Sequence, residues 1–358
     1  MNLDLSSMIL GAFGLSLILI TLSLLLRGKS AAQPGYSTGA RFFLIALRLA
    51  IGWHCFVEGM EKLSTPSWSS EVYLRESMGP FASVFKDVAG DRLIEKLTVE
   101  DETFPPALDL DWRNRAAAFA AYYDLPDDKV LRAQEIVKKS EEKTLAYLTS
   151  ATEEVTKTSA YPPALKVAMT MKKRLEEHER LLSEVSKAEA KFPSSSKDVH
   201  AAWKAAKADL AKWRADLKKS LDGETAKLNK ALEELLTSDQ KAEAATVAPG
   251  RLPIDEWRML EWSDALVMWS LIVLGGCLLL GLCTRFTCFL TGLLILSFYL
   301  AMPPLPGWPE SPRLEGHYLI INKTLIEVLA LFALSFIPTG RWAGLDGILQ
   351  WFTREAPG

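Results

Sequence analysis

The stretch Ala265–Cys283 reads ALVMWSLIVLGGCLLLGLC and contains no charged residue over nineteen positions. Two more runs of the same length, Met8–Leu26 and Phe286–Pro304, also lack charged residues. At 1.5 Å per residue, each run spans roughly 28 Å as a helix, which is enough to cross the hydrocarbon core of a bilayer. The three runs therefore predict membrane-spanning helices.

Two further apolar stretches, Phe42–Leu63 and Tyr318–Pro338, are as long but contain ionisable residues. Together the five stretches predict five transmembrane helices and hence an integral membrane protein. The first stretch has no basic segment before it, and its basic residues Arg27 and Lys29 follow it. This order is typical of a retained helix rather than of a cleaved signal peptide.

The basic residues near the predicted helix ends indicate the orientation. They are Arg27, Lys29, Arg41, Arg285, Arg341 and Arg354. With five crossings and the N-terminus outside, all six fall on the cytoplasmic side, where loops carry an excess of Lys and Arg. We therefore predict a multi-pass protein of the cytoplasmic (inner) membrane. Its N-terminus and residues 64–262 are predicted to be extracytoplasmic, and its C-terminus cytoplasmic.

The long segment between the second and third predicted spans has the composition of helices. Residues 109–157 and 164–191 are rich in Ala, Glu and Lys, and a last helical run extends over Lys197–Leu236. Breaks are predicted at Pro126, Pro162-Pro163 and Pro193. In the last run apolar residues recur at spacings of three, four and seven: Trp203, Ala206, Leu210, Trp213, Leu217, Leu221, Leu228, Leu232 and Leu235. One apolar stripe of this kind predicts an antiparallel helical hairpin or a short coiled coil.

Charge and motifs exclude several classes of protein. The net charge of −3 and the alternation of acidic with basic blocks indicate a solvated helix surface, so nucleic acid is not expected as a partner. The sequence carries no nucleotide-binding glycine loop, no haem attachment motif and no metal-ligand constellation. We therefore assign no catalytic, cofactor-binding or metal-binding residue. The four cysteines lie in or beside apolar runs and are expected to be buried small side chains.

The second predicted span carries its ionisable residues on one face. Arg48, His54, Glu58, Glu61 and Lys62 fall within an arc of about 140° at 100° per residue. A charged side chain near the bilayer centre costs ~2.5–3.5 kcal/mol. We therefore expect this face to meet protein or a water-filled cavity rather than lipid.

The fifth predicted span offers partners for this face in Asn322, Lys323 and Glu327. Measured from the predicted outer helix ends, Glu58 and Lys323 both lie roughly 8 Å deep. By the same arithmetic His54 and Glu327 both lie roughly 13 Å deep. Matched depth and opposite charge predict a Glu58–Lys323 pair, with His54 close to Glu327.

Two interpretations of this set of polar residues stay open. In the first, it is a charge-satisfied network that fixes the helix bundle and does nothing more. In the second, it is a functional site, because intramembrane ionisable residues mark such sites and a histidine between two carboxylates can relay protons near neutral pH.

Five motifs resemble the DoxX/DoxD family of membrane proteins. They are Arg48-Leu-Ala-Ile-Gly-Trp-His54 with Glu58-Gly59 and Lys62; Gly281-Leu-Cys-Thr-Arg285; Phe298-Tyr-Leu-Ala301 with Pro303-Pro304; Glu315-Gly-His-Tyr318 with Asn322-Lys323 and Glu327; and Pro338-Thr-Gly-Arg-Trp342 with Gly344-Leu-Asp346. The resemblance covers about residues 40–64 and 262–350. It implies a four-helix membrane bundle. Some DoxD-type members are small subunits of thiosulfate:quinone oxidoreductases, and DoxX relatives join membrane-associated redox complexes.

The predicted fold class is accordingly all-α. A polytopic four-helix membrane bundle is joined by an extra N-terminal transmembrane helix and by an inserted extracytoplasmic helical-hairpin or coiled-coil domain. The segments are residues 1–40 (N-terminal span and cytoplasmic linker), 41–64 (first bundle helix), 65–258 (inserted domain), 259–350 (remaining bundle helices) and 351–358 (cytoplasmic tail).

Two functions are compatible with these expectations. The resemblance implies a membrane subunit of a redox-associated complex, with a quinone held beside the polar set Arg48, His54, Glu58, Glu61, Lys62, Asn322, Lys323 and Glu327. The alternative is a non-catalytic anchor or scaffold whose extracytoplasmic hairpin recruits a partner. Besides the lipid bilayer, the expected partner is a protein on the extracytoplasmic side or a second copy of the chain.

Overall fold

The computed structural model describes residues 35–65, 67–157, 165–242, 247, 249–309, 316 and 318–354. The predicted first span Met8–Leu26 and the Pro162-Pro163 break lie outside the described residues. The elements follow in the order α1 Thr38–Ser64, α2 Glu71–Arg75, α3 Ala82–Ala89, α4 Arg92–Glu95, α5 Pro106–Tyr122, α6 Asp127–Ser150, β1 Thr152–Lys157, β2 Leu165–Thr170, α7 Met171–Glu189, α8 Lys197–Glu233, α9 Ser238–Ala242, a 3₁₀ turn Ile254–Glu256, α10 Met259–Leu280, α11 Thr284–Ala301, α12 Lys323–Ser335, α13 Thr339–Trp342 and α14 Leu345–Arg354.

The chain is mostly helical, and three of its described helices are long and apolar enough to cross a membrane. They are α1, α10 and α11, with mean hydropathy of 1.5, 2.0 and 1.5 over their most apolar windows. These helices coincide with the predicted spans that begin at Phe42, Ala265 and Phe286, so that part of the prediction is confirmed. The chain therefore has the character of an integral membrane protein.

The predicted helix Tyr318–Pro338 is wrong at both ends, because α12 runs only from Lys323 to Ser335. Tyr318 and Ile321 instead form a tight turn, in which each backbone N–H donates to the other residue's carbonyl at 3.1 and 3.0 Å. Leu319 occupies the left-handed region of this turn with φ 58°. The Asn322 side chain then caps α12 by accepting from Leu325 N at 2.9 Å.

The prediction of an all-α chain is also wrong in one place. Helix α6 ends at Ser150, and the next residues form an antiparallel ribbon in which Thr152–Lys157 pairs with Leu165–Thr170. Val155 of β1 lies directly opposite Val167 of β2, and Val155 is buried. The β-branched residues Thr152, Val155, Thr156 and Val167 favour the extended backbone, which the Ala, Glu and Lys content of the flanking helices obscured.

The described residues divide into two compact units. The first contains the described parts of Met1–Ala89, Trp257–Pro306 and Glu310–Gly358, and the second contains Gly90–Glu256 with Gly307–Pro309. This division differs from the predicted segments 65–258 and 259–350, because residues 65–89 and 257–258 group with the membrane-spanning helices and Gly307–Pro309 group with the second unit. We describe each unit by itself.

Helices α1 and α10 of the first unit approach each other through glycines. A Cβ on Gly275 would lie 2.6 Å from Phe56 N, and a Cβ on Gly52 would lie 2.8 Å from Leu278 Cβ. Gly59 faces Ile272 in the same way, with 2.8 Å from a Cβ to the Ile272 backbone nitrogen. Small residues at these positions allow the close backbone contact that stabilises helix pairs in lipid.

We predict that Gly275→Ala weakens this helix pair whereas Gly276→Ala does not. The first methyl group collides with the α1 backbone, while a Cβ on Gly276 meets only Phe56 Cδ2 at 3.9 Å. Overpacking of this kind costs ~1–3 kcal/mol. Unfolding of the purified protein by a denaturing detergent measures the free energy, and equal stability of the two variants would contradict the packing described.

The second unit is built on the predicted hairpin of α7 and α8. The α8 stripe is confirmed: Trp203, Leu210, Trp213, Leu217, Leu221, Leu228 and Leu232 are all buried. Trp213 also donates through Nε1 to the Arg174 carbonyl of α7 at 2.9 Å. The chain reverses between α7 and α8 at Phe192 and Pro193, as predicted. Gly307–Pro309 belong to this unit because Ser194 N donates to the Gly307 carbonyl at 2.8 Å.

A network of ion pairs and hydrogen bonds around the buried Arg174 ties the β ribbon to this hairpin. Arg174 is 1% exposed and contacts Glu153 Oε2 at 2.6 Å, Ser220 Oγ at 2.9 Å and Asp216 Oδ2 at 3.4 Å. Tyr147 OH donates to the other Glu153 oxygen at 2.5 Å. Hydrogen bonds from Tyr147 and Ser220 and the nearby Arg174 lower the pKa of Glu153 although burial opposes them. The network orients β1 against α7 and α8.

Two neighbouring carboxyl groups lie between helices α5 and α6: Asp109 of α5 and Glu141 of α6. Burial, followed by a hydrogen bond with the Asp109 carboxylate, raises the pKa of Glu141 to about 7. Arg113 and Lys138 oppose this shift without cancelling it. Two neighbouring carboxylates repel each other once both are ionised, so protonation of Glu141 relieves its repulsion from Asp109.

We expect the second unit to lose stability as pH rises from about 4.5 to about 7, because the folded pKa of Glu141 lies above its ordinary value of 4.5. Below pH 4.5 Glu141 is protonated in both the folded and the unfolded chain. Above pH 7 Glu141 is ionised in the folded chain too, and the unfavourable free energy of its buried charge beside Asp109 is fully present. Glu141→Gln should therefore raise the melting temperature at pH 8 more than at pH 5. Glu142→Gln, at the exposed neighbour, is the control, and the same response in both variants would refute the raised pKa of Glu141.

Candidate functional site

Helix α1 carries five of the predicted site residues, and the structure separates them. Arg48 is 0% exposed, whereas His54 and Glu61 are exposed on the described unit. The buried side of α1 is centred on Arg48, Gly52, Cys55 and Gly59, and His54 lies about 120° away from Arg48 around the helix. That the polar face as a whole meets protein or a water-filled cavity stays a prediction.

At one end of α1, Glu58 forms an ion pair within its own helix. Its Oε2 lies 2.6 Å from Lys62 Nζ, one turn further on. The Lys62 ammonium also lies 5.5 Å from the centre of the Trp68 ring. The ion pair with Lys62 neutralises the Glu58 carboxylate locally. The pairing of Glu58 with Lys323 stays a prediction.

Helix α12 begins at the same end of the unit and brings its polar residues towards α1. Glu327 interacts electrostatically with both His54 and Lys323. The Cys55 thiol, which is 1% exposed, lies within the field of both Glu327 and Glu58. Direct contact between His54 and Glu327 stays a prediction. We call His54, Glu58, Lys62, Asn322, Lys323 and Glu327 the His–Glu cluster.

Asn322 gives this cluster a free hydrogen-bond donor. The residue is 2% exposed, and its Oδ1 accepts from Leu325 N as the cap of α12. Its Nδ2 is buried and has no hydrogen-bond partner within the described part of the chain. A buried amide nitrogen without a partner costs ~1–3 kcal/mol, so the site is suited to a ligand or water that presents an acceptor.

The chemistry available to the cluster is acid–base chemistry together with recognition of a carbonyl. Helix α1 supplies the His54 imidazole and the Glu58 carboxylate, and α12 supplies the Glu327 carboxylate. Lys323 and the Asn322 amide are donors that would hold a ligand oxygen.

Arg48 belongs to a different site at the opposite end of α1, about 15 Å along the helix from Glu58. Its Nη2 donates to the Ala343 carbonyl at 2.7 Å. Gly281 and Gly344 lie against it, and a Cβ on Gly281 would come 3.0 Å from Arg48 Nη1 and 2.8 Å from Gly344 Cα. Gly281 also has a φ of 65°, which glycine adopts without strain. We call this arrangement the arginine junction.

Asp346 holds the junction to the start of α11. Its two carboxylate oxygens accept from Cys283 N at 2.6 Å and Thr284 N at 2.9 Å, and its own N–H donates to the Gly281 carbonyl at 3.0 Å. A carboxylate at a helix N-terminus satisfies free amides and complements the helix dipole. The motifs around Arg48, Gly281 and Asp346 therefore meet in space.

Two features of the first unit were missed by the sequence analysis. Asp264 accepts from Ser70 N at 2.9 Å and from the Ser70 hydroxyl, and only its position directly before an apolar run could have indicated a role. The expectation of a buried side chain is confirmed for Cys55 and Cys288. Cys283 is exposed rather than buried, because it lies in the turn before α11 with φ 46°.

Comparison with known proteins adds no assignment: no family model, no curated protein and no solved structure matches this chain. The site is therefore interpreted on its own geometry.

We predict that Asp346→Asn destabilises the first unit by about 1–3 kcal/mol, because an amide leaves one of the two helix N–H groups without an acceptor. Asp255→Asn, at an exposed position in the 3₁₀ turn, is the matched control. Denaturing-detergent unfolding measures both. If Asp346→Asn is as stable as the control, Asp346 does not hold the junction.

Proposed function

We propose that this chain is a DoxX/DoxD-like membrane subunit of a redox-associated complex, in which the His–Glu cluster holds a quinone and exchanges protons with it. The observation that carries the proposal is the unpartnered Asn322 Nδ2 beside Lys323, at the end of the unit where Glu327 interacts with His54. The remainder of the proposal is a four-helix membrane bundle with an extra N-terminal span and an inserted extracytoplasmic domain.

A fourth membrane helix is supported by the surface around α12. Its thirteen residues span only about 20 Å, which is short of the bilayer core. However, Tyr318, Leu319, Ile320 and Ile321 just before it are 75, 72, 50 and 48% exposed, and Phe336 just after it is 77% exposed. The turn and the helix together present a continuous apolar surface, which suits a lipid environment.

The proposed orientation places the arginine junction at the cytoplasmic side. Three of the basic residues used for orientation lie at this end of the unit. Arg41 stacks 5.5 Å from the Trp342 ring, Arg285 Nε donates to the Ser335 carbonyl at 3.0 Å, and Arg341 shares a groove with Arg285. Concentration of basic residues at one end favours a cytoplasmic location.

The donor set fits a quinone headgroup. A quinone has two carbonyl oxygens, and Asn322 Nδ2 and the Lys323 ammonium are donors of the right kind for one of them. His54 and Glu327 would serve as the proton donor and acceptor for that oxygen. A quinone bound there would supply electron transfer, for which the described side chains have no group of their own.

Purified protein from quinone-containing membranes should therefore retain a stoichiometric amount of quinone, measured by extraction and mass spectrometry. Asn322→Ser keeps the α12 cap oxygen but removes the amide donor, and should weaken retention about fivefold, as for the loss of one hydrogen bond. Glu61→Gln on the exposed side of α1 should retain quinone as the wild type does. Absence of quinone from the wild type, or equal retention by Asn322→Ser, would contradict the proposal.

The alternative function is a membrane anchor that recruits a partner through its hairpin. The second unit favours it, because that unit has a hydrophobic core of its own and a long α8 of 37 residues. A chain without residues 130–240 discriminates the two. Under the quinone proposal it keeps its quinone, whereas under the anchor proposal it loses a co-purifying protein or the self-association of the full chain.

A further inference from the structure

An open groove of about 510 Å³ lies at the arginine junction, on the side where α11 begins. Two of the residues that line it are basic, Arg285 and Arg341, and both are exposed. The one acidic lining residue, Asp346, already has both carboxylate oxygens bound to backbone N–H groups. The groove therefore carries a net positive charge and is complementary to an anion.

The two guanidinium groups differ in how the protein holds them. Arg285 is held at the end of α12 by the hydrogen bond from its Nε to the Ser335 carbonyl, and it uses only this one nitrogen there. Arg341 follows Gly340 in α13, the short helix that leads to the junction. Guanidinium groups bind phosphate through two parallel hydrogen bonds, so two arginines on opposite elements can hold one phosphate.

A buried threonine forms part of the groove wall. Thr284 lines the groove and is 1% exposed. Its Oγ1 packs against Gly340, where a Cβ would collide both with this oxygen and with a carboxylate oxygen of Asp346, so the wall is tightly packed here. The same helix start supplies Arg285 as the next residue.

The surface next to the groove is apolar. Phe286 lines the groove and is 65% exposed, and Phe289 and Leu293 continue the same side of α11 with 46 and 44% exposed. This stripe rises about 10 Å along a membrane-spanning helix. On α14, Leu349 lines the groove and is 51% exposed. The positively charged groove therefore adjoins an apolar surface that suits the hydrocarbon core of a bilayer.

We propose that this groove binds the phosphodiester headgroup of an anionic phospholipid, with Arg285 and Arg341 on the phosphate and the stripe Phe286, Phe289 and Leu293 against an acyl chain. The site is separate from the His–Glu cluster, which lies at the other end of α1, and it does not depend on quinone binding. Anionic lipids are recognised in this way by basic pockets at the membrane surface.

The test uses the full chain, delipidated in a neutral detergent, with three probes. Phosphatidylglycerol and phosphatidylcholine of identical acyl chains distinguish headgroup charge, and glycerol phosphate distinguishes a lipid from a free phosphate. Binding is measured by native mass spectrometry and by the rise in melting temperature. The wild type should bind phosphatidylglycerol alone among the three. The variant Arg285→Gln with Arg341→Gln should lose about tenfold or more in affinity, as expected when charge-assisted hydrogen bonds are removed.

Arg132→Gln, an exposed arginine of α6, changes one charge outside the membrane unit and should bind as the wild type does. If the double variant fails to fold, Arg341→Gln alone serves, and it should still weaken binding of phosphatidylglycerol severalfold. Equal binding of phosphatidylglycerol and phosphatidylcholine overturns the proposal, as does full binding by the arginine variants. Binding of glycerol phosphate as tightly as phosphatidylglycerol overturns the assignment to a lipid.

Discussion

The interaction on which the first unit depends is the burial of the Arg48 guanidinium. A charge with no exposed surface costs several kcal/mol unless the protein provides hydrogen bonds, and here the Ala343 carbonyl accepts one at 2.7 Å. To bring that carbonyl to α1, the chain after α12 must fold back over the turn between α10 and α11. Gly281 and Gly344 make this approach possible, and Asp346 fixes it by capping α11. One buried charge thus connects three distant parts of the sequence.

Helix α1 serves two sites because of its length. Its buried side packs against α10 through Gly52 and Gly59 and leads to Arg48 at one end. Its polar side brings His54 and Glu58 towards α12 at the other. The rigid helix keeps the two sites apart, so an anion bound near the junction and a ligand bound at the His–Glu cluster would not compete for the same side chains.

Part of the His–Glu cluster could be predicted because helix geometry is regular. The matched depths of His54 and Glu327 were counted from Tyr318, whereas α12 begins only at Lys323, so that calculation does not apply to the structure. The ion pair of Glu58 with Lys62 has the i,i+4 spacing that stabilises helices, and it could also have been read from the sequence. The unpartnered amide nitrogen of Asn322 could not be predicted, because it depends on whether the oxygen or the nitrogen of the side chain caps α12.

The sequence by itself determined the three apolar helices, the break at Pro193 and the apolar stripe of α8, because these follow from local composition and periodicity. Only the tertiary structure decided that Arg48 leaves the polar face and joins Gly281 and Asp346, since that contact spans 295 residues between Arg48 and Ala343. The β ribbon was likewise decided by its neighbours: Glu153 is held by Arg174 from the following helix. Local propensity cannot specify such contacts, because their free energy exists only once distant segments have met.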